Sequence, residues 1–428
     1  MDTIFARSTA PGRAGVAVIR LSGPASWEAV ARLGGGPLPE PRRLVVRRLQ
    51  DDSGFLDEAM IVLFEAGRSF TGEVSAELHL HGSVAVQRAV ERALTGMDGL
   101  RAAEAGEFTR RALENDRMGL PEIEGLGALL EAETEAQRRQ ATALMQGGLR
   151  EVADTWRVAV VDVLAALEVA VDFSDEEVPE EVDPGLAATL RRLAAEMTSE
   201  ADGAVAAQRI ASGFEVAIVG APNAGKSTLL NRLAGYDAAL TSDVAGTTRD
   251  VVAVRMEIGG FLVSLLDTAG VRQAQDTVER MGVERALARA ASADIRLFLD
   301  GVPEGAHVMD GDILLAGKCD LERDTPAGAL RVSGLTGEGL PDLMSTIAER
   351  LEEKVAGAGS AVSARQERAL RQASGALAEA ADMLDAGESP EICSALVRQG
   401  AYALDGLLGR IGTEEVLGTI FASFCIGK

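Results

Sequence analysis

The chain is 428 residues long and 47% hydrophobic, with 66 acidic side chains against 42 Lys and Arg and a formal net charge of −24. So acidic a surface repels nucleic acid over most of its extent, which excludes a broad electrostatic RNA or DNA binder but not a local basic patch or a partner that carries the RNA. Length and apolar content suffice for two to four domains, and three cysteines at unrelated spacings (Cys319, Cys393, Cys425) offer neither a disulfide framework nor a zinc site, so a reducing cytosol is expected.

The opening MDTIFARSTAPG has no long apolar core and no cleavage site. The most apolar later stretch, 158–173, is interrupted by Asp162, Glu168 and Asp172, so a packed helix is expected there and no membrane span. Residues 1–117 alternate short β-like runs (3–7, 15–21, 44–49, 59–64, 74–81) with helical patterns over 25–33 and 84–94, which predicts an α+β domain. Strict alternation over 73–81 puts Glu73, Ser75, Glu77, His79 and His81 on one face. Two histidines and two carboxylates there admit a metal, but no third ligand cluster appears elsewhere, so a solvated or cofactor-facing surface is expected.

From 121 to about 210 the pattern becomes helical and alanine-rich, predicting three long helices over 122–145, 149–173 and 184–210, with an acidic turn at 172–179. Helices resume after about 355, over 363–384, 393–408 and 413–421. Helices on both sides of 213–353 predict one helical domain (118–212 and 354–428) into which a nucleotide module is inserted. The fold class expected is multidomain α/β.

The module opens on FEVAIVGAPNAGKST, an apolar run followed by G-x-x-x-x-G-K-[ST] and an amphipathic segment. In that strand-to-helix setting Gly220 and Gly225 let backbone N–H groups face phosphate oxygens at a helix N-terminus. Lys226 brings a point charge to the outer phosphates, and the Ser227 hydroxyl suits Mg²⁺. The loop 241–250, TSDVAGTTRD, ends in threonines, as a switch needs if a hydroxyl is to reach Mg²⁺ and be released with the γ-phosphate. The run 261–266 leads to Asp267-Thr-Ala-Gly270, where Asp267 can hold the metal's water shell and the Gly270 N–H can meet the γ-phosphate.

Gly317-Lys318-Cys319-Asp320 and Ser333-Gly334-Leu335 occupy the places of the guanine-reading motifs N-K-x-D and S-A-x. Asp320 can accept both the ring N–H and the exocyclic amine of guanine, a pairing adenine cannot reproduce, so GTP is expected over ATP. Gly317 in place of asparagine removes hydrogen bonds worth roughly 1–3 kcal/mol. Retained specificity with weakened affinity is expected, with a gain on restoring asparagine. A glutamine directly after the D-x-x-G glycine orients the attacking water in Ras-like enzymes. Val271 cannot, which leaves Gln273, Asp276 and Glu279 as candidates.

In combination with APGRAGVAVIRLSG, FTGE with the following AELHLHG, AGEFTRRALEND, DFSDEE, DTAGVR, VERMGVERA and the terminal FCIGK, these motifs closely resemble the tRNA-modification GTPase family MnmE, also called TrmE, over essentially the whole chain. The resemblance implies an N-terminal α+β domain (1–117) that binds tetrahydrofolate and dimerises, a helical domain, and an inserted P-loop, Ras-like GTPase domain with a mainly parallel sheet. It implies potassium-dependent GTP hydrolysis coupled, in the cytoplasm, to building a carboxymethylaminomethyl or aminomethyl group at position 5 of the wobble uridine of certain tRNAs. The implied partners are a second copy of the chain, tRNA and a FAD-containing protein, MnmG (GidA), in a heterotetramer. The implied carbon donor is 5-formyl- or 5,10-methylene-tetrahydrofolate.

Carried over residue by residue, the implied nucleotide site comprises Asn223, Ala224, Gly225, Lys226, Ser227 and Thr228; Ser242, Asp243, Val244, Ala245, Gly246, Thr247 and Thr248; Asp267, Thr268, Ala269 and Gly270; and Lys318, Asp320 and Ser333. Ser227 and Thr248 would hold Mg²⁺. Asn223, Ser242, Val244 and Thr247 would surround K⁺, and Glu279 would orient the water once two nucleotide modules dimerise. Folate would meet Arg20, Glu77, Arg117 and Lys428. Cys425 stands open between a reactive thiol and small apolar packing. Two other readings remain: a ribosome-assembly GTPase of the Era or EngA type, for which no basic RNA-binding domain is visible, and a folate-binding scaffold with a degenerate switch, encouraged by Gly317 and Gly334.

Overall fold

The computed structural model describes residues 2–172, 183–221, 223–235, 253–267, 290–303, 306–321, 325–410 and 427. They divide into two compact units: unit 1 takes in 1–127, 150–157 and 402–428, and unit 2 takes in 128–149 and 158–401.

Unit 1 is built on a six-stranded sheet in the order β3-β4-β5-β2-β1-β6. Its strands are β1 (Thr3–Arg7), β2 (Val16–Ser22), β3 (Val45–Asp51), β4 (Gly54–Phe64), β5 (Ser75–His81) and β6 (Leu100–Ala102). All neighbours run antiparallel except β1 and β6. Alternation along the strands sends Ile19, Leu21, Ile61, Leu63 and Leu78 into a core closed by α1 (Ser26–Gly34) and α2 (Val84–Thr95). On the other face Ile4 and Ala6 pack with Phe108 of α3 (Glu107–Glu114) and with Phe70.

An ion network fixes α3. Arg111 reaches Glu73 at 3.1 Å, Asp2 at 2.8 Å and Glu107 at 3.1 Å, and Arg101 reaches Glu107 at 2.5 Å. Burial pushes the Glu107 carboxyl up. The Arg101 hydrogen bond, the Glu104 backbone N–H and Arg111 outweigh that and hold it below the usual carboxylate range.

One expected helix is two. In place of a single helix over 122–145 the chain forms α4 (Leu120–Glu131) and α5 (Glu135–Met145). Thr134 ends the run by capping α5: its hydroxyl accepts the Gln137 N–H, and the Gln137 side chain accepts the Thr134 N–H. The long helices α6 (Gly148–Asp172) and α7 (Pro184–Ser212) follow the expected spans. The strand β6 and helix α3, and in unit 2 three strands (253–258, 295–299 and 330–331) and the helix at 340–355, are additions that the sequence patterns leave out.

Unit 2 carries a second six-stranded sheet in the order β12-β11-β10-β7-β9-β8. Its strands are β7 (Phe214–Gly220), β8 (Ala253–Ile258), β9 (Phe261–Asp267), β10 (Ile295–Leu299), β11 (Ile313–Ala316) and β12 (Leu330–Arg331). All pairs are parallel except the hairpin β8–β9. As the central parallel strand, β7 is apolar on both faces, which is why it reads as an unbroken run. Helices α8 (Lys226–Ala234) and α9 (Leu340–Val355) cover one face with Leu229, Leu233, Leu343 and Ile347.

Below the sheet, α7 and α10 (Ala364–Asp385) form an antiparallel pair. Ion pairs join Arg191 to Asp382 and Arg371 to Asp202, and the packing surface is rich in small residues such as Ala204, Ala207, Ala373 and Ala380. Helix α11 (Pro390–Leu408) follows. Among the described residues no helix is long and apolar enough to cross a membrane. The expected helix at 413–421 lies outside the described residues.

The Glu107 network sets the acid stability of unit 1. A lowered carboxyl pKa contributes stability above the pKa of the unfolded chain, and that contribution is lost as pH falls through the folded value. Glu107→Gln, which strips one partner from a buried network, is expected to lower unfolding free energy by about 3 kcal/mol at pH 7. The gap to wild type should narrow below the usual carboxylate range. Both tryptophans, Trp27 and Trp156, lie in unit 1, so urea titration of their emission at pH 7 and at pH 3 reads the difference directly.

Candidate nucleotide-binding active site

The chemistry-bearing loops of unit 2 gather at the carboxyl end of its parallel strands. Strand β7 ends at Gly220, where a Cβ would lie 2.5 Å from the Leu299 carbonyl of β10, so only glycine fits. Asn223 then takes a left-handed turn (φ 62°), and Gly225 (φ 105°) caps α8. Lys226 is only 6% exposed. Its ammonium donates to the carbonyls of Gly220 (2.7 Å) and Ala221 (2.9 Å), so the loop is wrapped around the cation. Ser227 and Thr228 stand on the exposed first turn of α8, where backbone N–H groups and the helix dipole favour an anion.

The segment expected to read the base folds against the same helix. Ser333 is fully buried. Its hydroxyl donates to Asp320 Oδ1 (2.6 Å) while accepting the N–H groups of Leu335 and Thr336, both at 3.2 Å. Asp320 is thereby oriented with carboxylate capacity to spare. Lys318, itself left-handed (φ 55°), donates back to the Asn223 carbonyl at 3.2 Å, which ties the base loop to the phosphate loop. Burial, with the Glu338 carboxylate nearby, pushes the Cys319 thiol up, so it stays protonated near neutral pH. Ala224, Thr228, Leu299, Lys318, Asp320 and Leu335 line a cavity of about 370 Å³ between the two loops. A larger cleft of about 630 Å³ lies beside α5 and the β8–β9 turn, and two of its three carboxylates, Glu135 and Glu200, are engaged. Glu135 pairs with Arg138 and Arg139, and Glu200 accepts the N–H groups of Ser360 and Ala361.

Asp267 ends β9 in register with Ile218 of β7, which puts its backbone beside the phosphate loop. Its side chain, together with Ser242, Asp243, Val244, Ala245, Gly246, Thr247, Thr248, Thr268, Ala269, Gly270 and Glu279, lies outside the described residues, as do Gln273, Asp276, Cys425 and Lys428.

In unit 1 the Arg20 guanidinium pairs with Glu77 at 3.0 Å and stacks over the rings of Phe70 (5.2 Å) and Phe108 (5.9 Å). These two aromatics were not singled out in the sequence, although aromatic residues are only 4% of the chain and both fall in FTGE and GEF blocks. Two residues beyond Phe70, Gly72 packs against the Arg117 stem. Gly427, just before the final lysine, accepts a hydrogen bond from Ser8 at 3.1 Å, beside the β1–β2 pairing that holds Arg20. The β5 histidines divide between carboxylates: His79 lies 3.2 Å from Glu77, and His81 lies 2.7 Å from Asp57. Among the described residues no three side chains form a metal cluster.

Residues 3–117 match the family described as the GTP-binding protein TrmE N-terminus, and residues 120–425 match the MnmE helical domain. Over 432 aligned residues, covering 100% of both chains, the sequence is 52% identical to a tRNA modification GTPase MnmE of Cereibacter sphaeroides strain ATCC 17029. The chain belongs to the MnmE family of tRNA modification GTPases. At the same complete coverage it is 50% identical to the MnmE of a second Cereibacter sphaeroides strain and 49% identical to that of Ruegeria pomeroyi. The MnmE helical match runs on both sides of the nucleotide module, in keeping with an inserted GTPase domain.

Gly334, which stands where the S-A-x motif has alanine, is required by packing. A Cβ there would lie 2.8 Å from the Leu229 backbone nitrogen and 3.0 Å from its Cα. Gly334→Ala, although it restores the common motif, is expected to weaken guanine-nucleotide binding by about tenfold through this overpacking. Titration with a fluorescent GDP analogue measures it, and unchanged affinity would count against the close approach.

Proposed function

We propose that this chain is a potassium-dependent GTPase whose turnover drives modification of position 5 of the tRNA wobble uridine in the cytoplasm, with a second copy of itself and the FAD-containing MnmG (GidA) protein as partners. The observation that carries the GTP assignment is Asp320, held by buried Ser333 at the mouth of a cavity whose other wall is the phosphate loop. Full-length membership of the MnmE family supplies the tRNA side. An acidic chain can serve RNA if much of the RNA affinity resides on the partner.

In this reading the α8 N-terminus and Lys226 hold the phosphates, the Lys318 stem and Leu335 flank the base, and Asp320 accepts from its Watson–Crick edge. Ser227 and Thr248 hold Mg²⁺. Asn223, Ser242, Val244 and Thr247 hold K⁺, for which the exposed, left-handed Asn223 is suitably placed. The two cations supply positive charge at the phosphates as negative charge shifts during transfer. Glu279 orients the attacking water, which accounts for Val271 standing where other GTPases have glutamine.

Turnover is passed to the helical segments through the β8–β9 hairpin. Thr248 precedes β8 and Asp267 ends β9, while at the far end, in the two-residue glycine turn, the Gly260 carbonyl accepts the Ala136 N–H of α5 (3.0 Å). Arg255 of β8 also pairs with Glu133 at 3.0 Å. The hairpin thus joins both switch regions to α5, a gating role rather than the carbon chemistry itself.

The N-terminal domain holds 5-formyl- or 5,10-methylene-tetrahydrofolate. Glu77 faces the amino-pyrimidine edge of the pterin, while Arg20, Arg117 and Lys428 provide cationic and polar contacts. The site is consistent with the Arg20–Glu77 pair and its two aromatic rings.

Single-turnover GTP hydrolysis is expected to be at least about tenfold faster in K⁺ than in Na⁺, and Glu279→Ala to abolish turnover while sparing GDP binding. Equal rates in the two salts, or K⁺-stimulated hydrolysis by the variant, would refute the ion and water assignments respectively. Nucleoside analysis of tRNA from a deletion strain tests the biological product: loss of the 5-substituent is expected, and intact wobble modification would reject it.

A further inference from the structure

Resting on the reading that Asp320 recognises guanine, we propose that Asp300 is a positioning residue that takes over the loop-holding role of the asparagine absent at position 317. Strand β10 ends at Leu299, and the Asp300 N–H continues its ladder to the Leu315 carbonyl at 2.9 Å. Asp300 is then left-handed (φ 57°), and this turn carries its carboxylate across to β11, where Oδ1 accepts the Gly317 N–H at 2.7 Å. A Cβ on Gly317 would lie 3.2 Å from both carboxylate oxygens and 3.0 Å from Leu299 Cδ1. The Asp300 carboxylate therefore occupies space that a side chain at 317 would need, and the two features go together.

The consequence runs along four residues. Glycine is the most conformationally free residue, and here it begins the loop that must present Lys318 and Asp320. The charge-assisted bond from Asp300 pins it. From that anchor Cys319 donates to the Val332 carbonyl (3.2 Å), and Asp320 is met by the Ser333 hydroxyl (2.6 Å). Loosening the anchor frees the carboxylate that reads the base, so selectivity should change along with affinity. A side chain that merely terminated β10 would not change selectivity.

The test is equilibrium titration of the full chain with GDP and with IDP, whose hypoxanthine lacks the exocyclic amine that Asp320 accepts. Asp300→Gly suits the left-handed backbone and removes the acceptor. It is expected to weaken GDP binding about tenfold and to compress the GDP:IDP affinity ratio. Asp300→Asn keeps an acceptor oxygen and tolerates φ 57°, so it should stay within about threefold of wild type. Gly317→Asn alone should bring no gain, because its side chain must displace the carboxylate. The double variant Asp300→Gly/Gly317→Asn should recover most of the lost affinity and the ratio.

Wild-type GDP affinity in Asp300→Gly overturns the inference, and so does an equal loss for both nucleotides without recovery in the double variant. If the wild-type chain fails to distinguish GDP from IDP, base reading by Asp320 itself falls and the inference falls with it. Discrimination by wild type that survives unchanged in Asp300→Gly removes only the role of Asp300.

Discussion

The backbone of α8 and the backbone of residues 332–335 meet without a side chain between them, and the nucleotide pocket of unit 2 depends on that contact. Helix α8 carries the candidate phosphate loop at its N-terminus and packs its flank against residues 332–335, so one short helix sets the distance between the two halves of the candidate site. Gly334 permits the approach from the base side, as Gly220 permits the approach of β7 to the Leu299 carbonyl from the phosphate side. Lys318 closes the arrangement by bonding across to Asn223. A methyl group at either glycine would have to be accommodated by shifting backbone, and packed interiors resist that.

This contact changes the meaning of the two departures from common guanine motifs. Read as text, Gly317 and Gly334 suggest a site losing its grip on the base. In three dimensions Gly334 is the residue that fits, and Gly317 faces a carboxylate that occupies the missing side chain's space and bonds to its N–H. Motif consensus describes the average neighbourhood of a position. Here the neighbourhood itself differs, and the residues agree with it. The degenerate-switch reading thereby loses its main support.

Much of the fold was legible because its signals are local. The central strand β7 is apolar on both faces and bounded by glycine, and α7 begins at an Asp-Pro start and ends before Gly213. Other elements depend on partners distant in sequence. Strand β10 carries Arg296 in mid-run, which reads as a break in an apolar segment. The Asp312 carboxylate, at 2.5 Å, the His307 carbonyl, at 2.8 Å, and the Phe298 ring beneath the guanidinium permit it to be buried. Helix α3 is short and largely polar because, beyond Phe108 and Ala112, its burial is ionic: Arg111 and Glu107 are core residues only as members of a network with Asp2, Glu73 and Arg101. The division between α4 and α5 was available in principle, since T-E-A-Q is a capping box, but continuous helical periodicity masks it. In the candidate site, Lys226 and Asp320 were singled out by spacing, and the structure brings both to the same cluster of loops. Asp300 was not, because its role arises from a left-handed turn at the end of a strand that the pattern itself conceals.

The most direct measurement of the account is hydrolysis of GTP and of xanthosine triphosphate by the wild-type chain and by Asp320→Asn. Xanthine presents a carbonyl where guanine presents an amine, so an acceptor-only carboxylate suits guanine and an amide that can also donate suits xanthine. The expected result is a wild-type chain that turns over GTP in preference to the xanthine nucleotide, and a variant in which the preference is reversed. A variant that keeps its GTP preference and gains nothing with xanthosine triphosphate would contradict the assignment of Asp320, and with it the reading of this pocket as the guanine site.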